Sequence, residues 1–419
     1  MLRSSITAAA VLAGSVSAGA VFGSGFTGKP VISGYWPSYA SQLQRPNQIP
    51  YNVFTHIDWF VAETTPTYEL NFGGPDVEAE LRDVVKRAHA AGVTVSACVG
   101  GWTGSIHFSD LVANSTSRLA YALSMKRYVQ MFKLDGIDLD WEYPSTQGIG
   151  CNTIDVEKDS DNFLAFVKTL RLVLGPKSRI SAAVGITGIK QGADGALFNR
   201  TGELGKYLDY VTIMSYDVYG GWSGTTGPLG PLFDTCATSE GQGASGATGA
   251  KLFIDAGFPA KKILLGMPAY SRPRVTASST LTPIVANGKS SLLYQNVTDE
   301  LATGGVTTEQ ASVDVCGVEN GASPMWLYRE LISTGKLAED GMTAIASWKR
   351  YWDECSQTPF LFNPQNREFI PYDDPQSYDR KAAFVHSHGL AGINMFDLTG
   401  DTKDSKLIKA ARRRIIGHV

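Results

Sequence analysis

Short apolar segments rich in β-branched and aromatic residues recur along the chain, and helical patterns separate the early ones. The segments span residues 31–36, 55–61, 93–102, 136–143, 179–186, 211–219, 263–270 and 392–398. Between them, residues 77–92 and 117–132 carry apolar side chains at the spacing of one helix face. Strands alternating with helices in this way are typical of a parallel (β/α)8 TIM barrel, an α/β fold. We predict this barrel for residues 21–419, with a closing helix at 403–416.

The interval between the seventh and eighth predicted strands is too long for a simple crossover. Residues 272–372 contain turn-rich stretches, strand-like pieces at 343–352 and 368–374, and one helical pattern at 325–335. We predict that this interval is a small α+β insertion on the rim of the barrel, at the end where the strands finish.

The N-terminal segment has the features of an export signal. Residues 1–20 contain one basic residue, Arg3, an apolar centre and small residues at the end, which predicts a secretory signal peptide outside the fold. No later apolar run is long enough to span a bilayer, so we expect a soluble, extracellular protein. Sequons at Asn114, Asn199 and Asn296 agree with export, because N-glycans are added in the secretory pathway.

The composition is that of an ordinary globular protein. Hydrophobic residues make up 43% of the chain, charged residues 18%, and the formal net charge is -3. A chain without a basic bias lacks the electrostatic attraction that nucleic acids and anionic membranes exert on their partners. We therefore expect neither nucleic acid nor membrane as a partner, and we expect a monomer.

The chain has five cysteines, an odd number for an oxidising compartment. Cys98 lies within the apolar third segment, and we predict that it is a buried free thiol. The other four lie in polar or loop-like contexts. We predict that Cys151 pairs with Cys236 and Cys316 with Cys355, although spacing alone leaves the other pairings open.

The fourth segment, in the stretch LDGIDLDWEYP at residues 134–144, carries four carboxylates. Alternate side chains of a strand share a face, so Asp138, Asp140 and Glu142 point one way and the apolar residues between them point the other. The apolar face packs on helices, so the acidic face looks into the barrel, with Glu142 nearest the C-terminal end of the strand. At least one of these three carboxyl groups should hold a proton near neutral pH. We expect Asp135, on the opposite parity, to be structural.

Two other interpretations of the acidic segment are weaker. A solvated ion-pair cluster would need Lys or Arg among the acids, and none is interleaved there. A divalent-metal site would have only oxygen ligands, because the segment contains no His. We therefore favour acid catalysis, and we expect neither a metal nor another cofactor.

The stretch DGIDLDWEYP resembles the D-x-x-D-x-D-x-E signature of the chitinases of glycoside hydrolase family 18. Three other segments resemble the strand motifs of that family in the expected order, namely VGGW at 99–102, MSYD at 214–217 and YSR at 270–272. The similarity covers nearly the whole mature chain, includes the insertion, and is closest to secreted fungal chitinases.

The resemblance implies a role for each polar residue of the site. Glu142 would protonate the glycosidic oxygen and then act as the base that activates water. The acetamido oxygen of the substrate, rather than a protein carboxylate, would attack the anomeric carbon, with retention of configuration. Asp140 would turn between Asp138 and the acetamido N–H, and Tyr216 would donate a hydrogen bond to the acetamido oxygen.

Sugar rings stack on flat apolar side chains as well as forming hydrogen bonds. Together with the resemblance, this predicts substrate-binding residues at the ends of the strands: Tyr35, Gly101, Trp102, Met214, Asp217, Tyr270, Arg272 and Phe396. Any single aromatic residue is more often part of a core, but beside the acidic strand the set favours a site. Trp222 is a weaker candidate for an outer subsite. Arg272 fits a substrate ligand and an ion-pair partner within the insertion equally well.

The sequence departs from the family pattern at two positions. Cys98 stands where the third strand usually has Ser, which removes a strong hydroxyl partner beneath the acidic strand and shifts its pKa values. Phe396 stands where the eighth strand usually has Trp, so a stacking face remains but the indole N–H is lost. Neither change removes a group that transfers protons.

We therefore expect a secreted chitinase, endo-acting or processive, that acts on chitin or chito-oligosaccharides. Two alternatives remain. One is a chitin-binding lectin on a catalytically weak or inactive barrel, against which the intact Glu142, Asp140 and Tyr216 argue. The other is an endo-β-N-acetylglucosaminidase acting on N-glycans, although family members of that kind usually lack this insertion.

Overall fold

Eight parallel strands close into a barrel in the computed structural model, which describes residues 30–417. The strands are β1 (Val31–Pro37), β2 (His56–Thr64), β3 (Thr94–Gly100), β4 (Gly136–Asp140), β5 (Arg179–Gly185), β6 (Tyr210–Met214), β7 (Ile263–Pro268) and β8 (Gly392–Phe396). The barrel closes because β1 pairs with both β2 and β8. The predicted TIM barrel is confirmed. The predicted signal peptide lies outside the described residues.

Helices cover the outside of the barrel. The longer ones are Pro75–Ala90, Ser115–Phe132, Asp159–Leu174, Gly246–Asp255, Pro375–Ser387 and Lys406–Ile416. Short helices occur at Gly101–Gly104, Phe108–Val112, Thr201–Leu204 and Tyr328–Ser333. In the first long helix the buried residues Leu81, Val84, Val85 and Ala88 follow the spacing of one helix face, which is why the apolar pattern located this helix to within two residues. None of the helices within residues 30–417 is both long and apolar enough to cross a bilayer.

The strand register determines which side chains share the inside of the barrel. Cys98 on β3 is level with Asp138 on β4, and Asp138 is level with Ser181 on β5. Gly100 is level with Asp140, one layer nearer the C-terminal ends of the strands. The apolar residues on either side of Asp138, Ile137 and Leu139, are fully buried on the other face, in the core between strands and helices. Polar side chains therefore fill the interior beneath the mouth of the barrel.

The insertion between β7 and β8 is built from antiparallel strands and one helix. Its four-stranded sheet has the order Arg274–Val275, Glu368–Pro371, Thr358–Asn363 and Lys349–Asp353. Two-stranded pairs are formed by Tyr270–Ser271 with Trp326–Leu327, by Ile284–Ala286 with Lys289–Ser291, and by Ser312–Val313 with Glu319–Asn320. The helix predicted at 325–335 is shorter than expected, Tyr328–Ser333, because its first residues pair as a strand.

Two disulfides join the insertion to loops of the barrel, and they are not the predicted pairs. Cys151 bonds to Cys316 and Cys236 bonds to Cys355, with Cα separations of 5.4 and 5.6 Å. The predicted pairing was wrong because the insertion folds back over loops that are distant in sequence, and chain spacing carries no information about that contact. The prediction that Cys98 is a buried free thiol is confirmed.

Candidate active site

The acidic strand ends earlier than predicted. β4 stops at Asp140, so Glu142 lies just beyond the strand and not within it. The reason is a contact from another loop: Ser105 Oγ donates to the carbonyl oxygen of Asp140 at 2.9 Å and accepts from the backbone N–H of Glu142 at 3.0 Å. A hydroxyl from the loop after β3 thus replaces a neighbouring strand as the hydrogen-bond partner and turns the chain at the mouth of the barrel.

Asp138 is held on both sides by hydroxyl groups inside the barrel. Tyr35 Oη donates to its Oδ2 at 2.9 Å, and Ser181 Oγ donates to its Oδ1 at 2.6 Å. Burial, and then the nearby carboxylate of Asp58, raise the pKa of Asp138, and the two hydroxyl donors lower it, which leaves a pKa of about 6. Both oxygens of Asp138 are therefore occupied by the protein.

Asp140 is placed quite differently, although it lies only one layer higher. Its Oδ2 is 4.0 Å from the Cys98 thiol, and its Oδ1 is buried without a hydrogen-bond partner among the described residues. Burial, and then the neighbouring carboxyl groups of Glu142 and Asp138, raise the pKa of Asp140 well above its usual value. A buried oxygen without a partner is costly, so this atom is a natural point of attachment for a ligand N–H.

Glu142 carries a carboxyl group whose pKa is suited to proton transfer near neutral pH. Burial, the largest effect, raises the pKa of Glu142, a hydrogen bond from Tyr143 lowers it, and the charge of Asp217 raises it, which leaves a pKa of about 7. The backbone behind this residue is anchored by Asn152, whose Nδ2 donates to the carbonyl oxygen of Glu142 at 3.0 Å. Together with the raised pKa values of both aspartates, this agrees with the predicted sharing of protons in the acidic cluster.

Tyr216 and Asp217 follow β6 and face the acidic cluster. Burial, and then the charges of Asp140 and Glu142, raise the pKa of the Tyr216 hydroxyl, which therefore stays protonated and able to donate. The ring of Tyr216 occupies space that a side chain on β7 would fill, since a Cβ at Gly266 would lie 2.9 Å from its Cε1. Met214, the last residue of β6, is partly exposed at the same end of the barrel.

Arg272 forms an ion pair with a residue of the predicted site. Its Nε donates to Oδ1 of Asp217 at 2.8 Å, and its Nη2 lies 3.4 Å from Oδ2. Its Nη1 donates to Ser323 Oγ of the insertion at 3.1 Å. The close ion pair thus joins Arg272 to Asp217, outside the insertion, and not to a residue of the insertion as predicted; the nearest carboxylate of the insertion, that of Glu309, lies 3.9 Å from Nη1. The guanidinium also lies 5.4 Å from the ring centre of Trp222, whose side chain is 61% exposed.

Phe396, at the end of β8, is the centre of an aromatic cluster across the mouth of the barrel. Its ring centroid lies 5.5 Å from Tyr35, 5.6 Å from Tyr216 and 6.1 Å from Tyr270. Phe60 of β2 completes the cluster at 5.4 Å. Phe396 stays partly exposed, whereas Tyr35 and Tyr270 are almost fully buried.

Gly101 and Trp102 turn the chain away from β3. Gly101 has a φ of +76°, and a Cβ there would lie 3.0 Å from the ring of Phe60, so a side chain would be strained and crowded. The next residue, Trp102, is 50% exposed, which leaves about half of it accessible on the rim.

Three contributors to the site were missed by the sequence analysis. Phe60 belongs to the second predicted strand, and its parity with Asp58 is the signal that places it on the inner face. Tyr39, which is 63% exposed and 6.2 Å from the Phe60 ring, lies in the loop after β1, where no regular pattern marks it. Asp58 accepts from Asn394 Nδ2 at 2.9 Å, a contact between two strands that are far apart in sequence. Its charge also raises the pKa of Asp138.

Asp135, predicted to be structural, lies away from this cluster. Its Oδ2 accepts from the backbone N–H of Val95 at 2.8 Å and lies 2.8 Å from His89 Nε2, so it joins β3 to a neighbouring helix. Between residues 30 and 417, no three His, Cys, Asp or Glu side chains are grouped so that they could hold a metal ion.

Comparisons with known proteins agree with this geometry. A chitinase-like effector of Moniliophthora roreri is 33% identical over 92% of this chain and 93% of that protein, and one of Moniliophthora perniciosa is 34% identical over 90% and 85%. A crystal structure of a chitinase from Rhizomucor miehei matches with a TM-score of 0.80 and 29% identity, covering 92% of this chain and 99% of the other. The model of the glycosyl hydrolases family 18 matches residues 31–401, from β1 to beyond β8. The resemblance to this family is thereby confirmed, and the protein belongs to glycosyl hydrolases family 18.

Proposed function

We propose that this protein is a secreted chitinase that hydrolyses β-1,4 bonds between N-acetylglucosamine units by substrate-assisted, retaining catalysis. The observation that carries the proposal is the contrast within the acidic cluster. Glu142 has a pKa of about 7, while Asp140 beside it presents a buried oxygen without a partner. One group is suited to move a proton, and the other to bind an N–H.

In the first step Glu142 donates its proton to the glycosidic oxygen, and the bond from that oxygen to the anomeric carbon breaks. The acetamido oxygen of the same sugar attacks the anomeric carbon and closes an oxazolinium ring. The acetamido N–H becomes acidic as positive charge develops, and Oδ1 of Asp140 accepts it. Tyr216 donates to the acetamido oxygen and positions it for attack.

In the second step Glu142, now ionised, takes a proton from water. That water attacks the anomeric carbon from the side that the leaving sugar vacated, and the oxazolinium ring opens. Two inversions at one carbon give net retention, and Glu142 regains its proton for the next cycle.

Asp138 supports this chemistry from below. Its oxygens already accept from Tyr35 and Ser181, so it is poorly placed to bind substrate but well placed to tune Asp140. Two carboxyl groups this close favour one shared proton. When Asp140 turns toward the acetamido N–H, Asp138 keeps a negative charge, and the hydroxyl groups around Asp138 stabilise that charge.

The aromatic cluster would hold the sugar that is cleaved. Phe396 offers a partly exposed face among buried rings, and rings of this kind stack on the C–H faces of sugars. The exposed side chains of Trp102, Trp222 and Tyr39 would extend this surface along the rim to further sugars. Asp217, fixed by Arg272, would orient a substrate group next to Glu142.

The decisive experiment is cleavage of a chito-oligosaccharide that carries a chromogenic leaving group. The wild-type protein should release the chromophore, and Glu142→Gln should lower kcat by about 100-fold to 10000-fold. Equal release by both proteins would contradict the assignment of Glu142. The mechanism has two separate tests. Oligomers without N-acetyl groups should bind but remain uncleaved. The first product seen by proton NMR should be the β anomer.

A second candidate function, binding of chitin oligomers without cleavage, is favoured by the names of the two relatives from Moniliophthora, both called chitinase-like effectors. Under this alternative, the wild-type protein and Glu142→Gln would bind a chitin hexamer equally and neither would cleave it.

The predicted export is tested on the protein recovered from culture medium, whose N-terminus should begin after the signal peptide.

A further inference from the structure

The Cys151–Cys316 disulfide joins two sides of the barrel mouth. Cys151 lies in the loop that follows β4 and Glu142, whereas Cys316 lies in the insertion that follows β7. β5 and β6 stand between these two strands in the barrel, so the two loops start three strand positions apart. The disulfide therefore ties the loop after β4 to the insertion at the end of the barrel where the candidate site lies.

The segment that carries Cys316 is a β-hairpin, residues 309–323, which we call the bridging hairpin. Its base is closed by the pairing of Glu309 with Ser323. That base lies at the site, because Arg272 donates to Ser323 Oγ at 3.1 Å and its Nη1 is 3.9 Å from a carboxylate oxygen of Glu309.

The tip of the bridging hairpin lies on the other side. Cys316 Sγ is 3.7 Å from the carbonyl oxygen of Ile149, in the loop after β4. That loop is itself anchored, since the backbone N–H of Thr153 donates to Ile106 at 2.9 Å. If fully extended, the seven residues from base to tip would reach on the order of 20 Å, and this upper limit is enough for the hairpin to pass over a bound sugar chain.

We infer that the bridging hairpin, latched by Cys151–Cys316, forms a roof over the substrate groove, so that the site takes a single polymer chain threaded by its end and retains it between cleavages. This inference rests on the proposed function. An enclosed chain stays at high local concentration after one cut, and sliding is then faster than release. Successive units of a β-1,4 chain face opposite ways, so a chain that slides must advance by two sugars to present the acetamido group again. The products should be mainly dimers.

The two disulfides differ in accessibility, which provides a test on the unaltered chain. Cys151 is exposed and Cys316 partly exposed, whereas Cys236 and Cys355 are each only 1% exposed. A mild thiol reductant should therefore open the first bond and leave the second intact. Mass spectrometry after alkylation identifies which bond has opened.

The experiment compares the wild-type protein with the double variant Cys151→Ser/Cys316→Ser, and with Cys236→Ser/Cys355→Ser as the matched control. On a soluble chitin polymer, the ratio of dimers to odd-numbered products should fall about threefold or more in the first variant, because its roof can open. Cleavage of a short chromogenic oligomer should stay within about twofold of wild type, because the proton-transfer groups are untouched.

An unchanged product ratio in a folded Cys151→Ser/Cys316→Ser protein would contradict the inference that the bridging hairpin forms a roof over the groove. If the Cys151→Ser/Cys316→Ser variant does not fold, selective reduction of the wild-type protein replaces it, with the same expected fall in the product ratio and its recovery after reoxidation. An equal fall in the ratio of dimers to odd-numbered products in Cys236→Ser/Cys355→Ser would also contradict the inference. Failure of the wild-type protein to cleave even the short oligomer would instead refute the proposed function.

Discussion

The thiol of Cys98 lies 4.0 Å from Oδ2 of Asp140, on the strand next to it inside the barrel. Burial raises the pKa of this thiol well above its usual value, and the charges of Asp138 and Asp140 add to the rise. The sulfur is therefore a neutral, weak donor, and it leaves Asp140 poorly stabilised as an anion.

Cys98→Ser should move the alkaline limb of the pH profile to higher pH. A serine hydroxyl donates a stronger hydrogen bond than a thiol, which lowers the pKa of Asp140, and the resulting negative charge raises the pKa of Glu142. We expect a shift of up to about one pH unit in kcat/KM. Cys98→Ala, which provides no donor, serves as the control. The same midpoint in the serine variant and the wild type would contradict this role of the thiol.

Asp217→Asn should move the alkaline limb of the pH profile of kcat/KM to lower pH. Asp217 raises the pKa of Glu142, so removal of its charge lowers that pKa, and Glu142 loses its proton at lower pH. The variant also deprives Arg272, which is 15% exposed, of its closest ionic partner, and this should lower the free energy of unfolding by about 1 to 3 kcal/mol. Asp255→Asn, in an exposed pair with Lys251, is the control and should change neither quantity. A profile that does not move would remove Asp217 from the electrostatics of the site.

Glu142 should make the protein less stable as pH rises. Its pKa is raised from 4.5 to about 7 by folding, so between these values the folded state binds the proton more tightly than the unfolded state does. The free energy of unfolding therefore falls as pH rises through this range, and the loss is complete above the folded pKa.

Glu142→Gln removes this dependence. The melting temperature of the variant relative to wild type should increase between pH 5 and pH 8, within the range set by the pKa of about 7. Thermal unfolding at several pH values measures it, with Glu339→Gln, an exposed side chain, as the control. A constant difference across this pH range would show that Glu142 is not perturbed by burial.

Trp102→Ala and Tyr39→Ala should affect binding of long substrates and leave the fold intact. Both rings are at least half exposed, so their removal should change the free energy of unfolding by no more than about 0.5 kcal/mol. KM for a polymer should rise about tenfold if each ring binds one sugar, which corresponds to ~1.4 kcal/mol. Leu172→Ala, 77% exposed on an outer helix, is the matched control. An unchanged KM for polymer would place these rings outside the substrate path.

The barrel and its acidic cluster could be predicted from the sequence because the signals are local. Alternation along β4 placed Asp138 and Asp140 on the inner face, and the same rule would have placed Phe60 there. The ends of the strands were less predictable: Glu142 lies beyond β4 because Ser105, from another loop, takes over the hydrogen bonds of the backbone. That interaction connects residues 37 positions apart.

The sequence by itself thus determined the order of strands and helices, the inward face of β4 and the identity of the acids, because strand and helix periodicity follow from backbone geometry alone. Only the tertiary structure decided the disulfide pairs, the pairing of Arg272 with Asp217, the aromatic cluster around Phe396 and the path of the bridging hairpin. These contacts join loops far apart in the chain. Their partners are selected by how the insertion packs on the barrel, which no short stretch of sequence encodes.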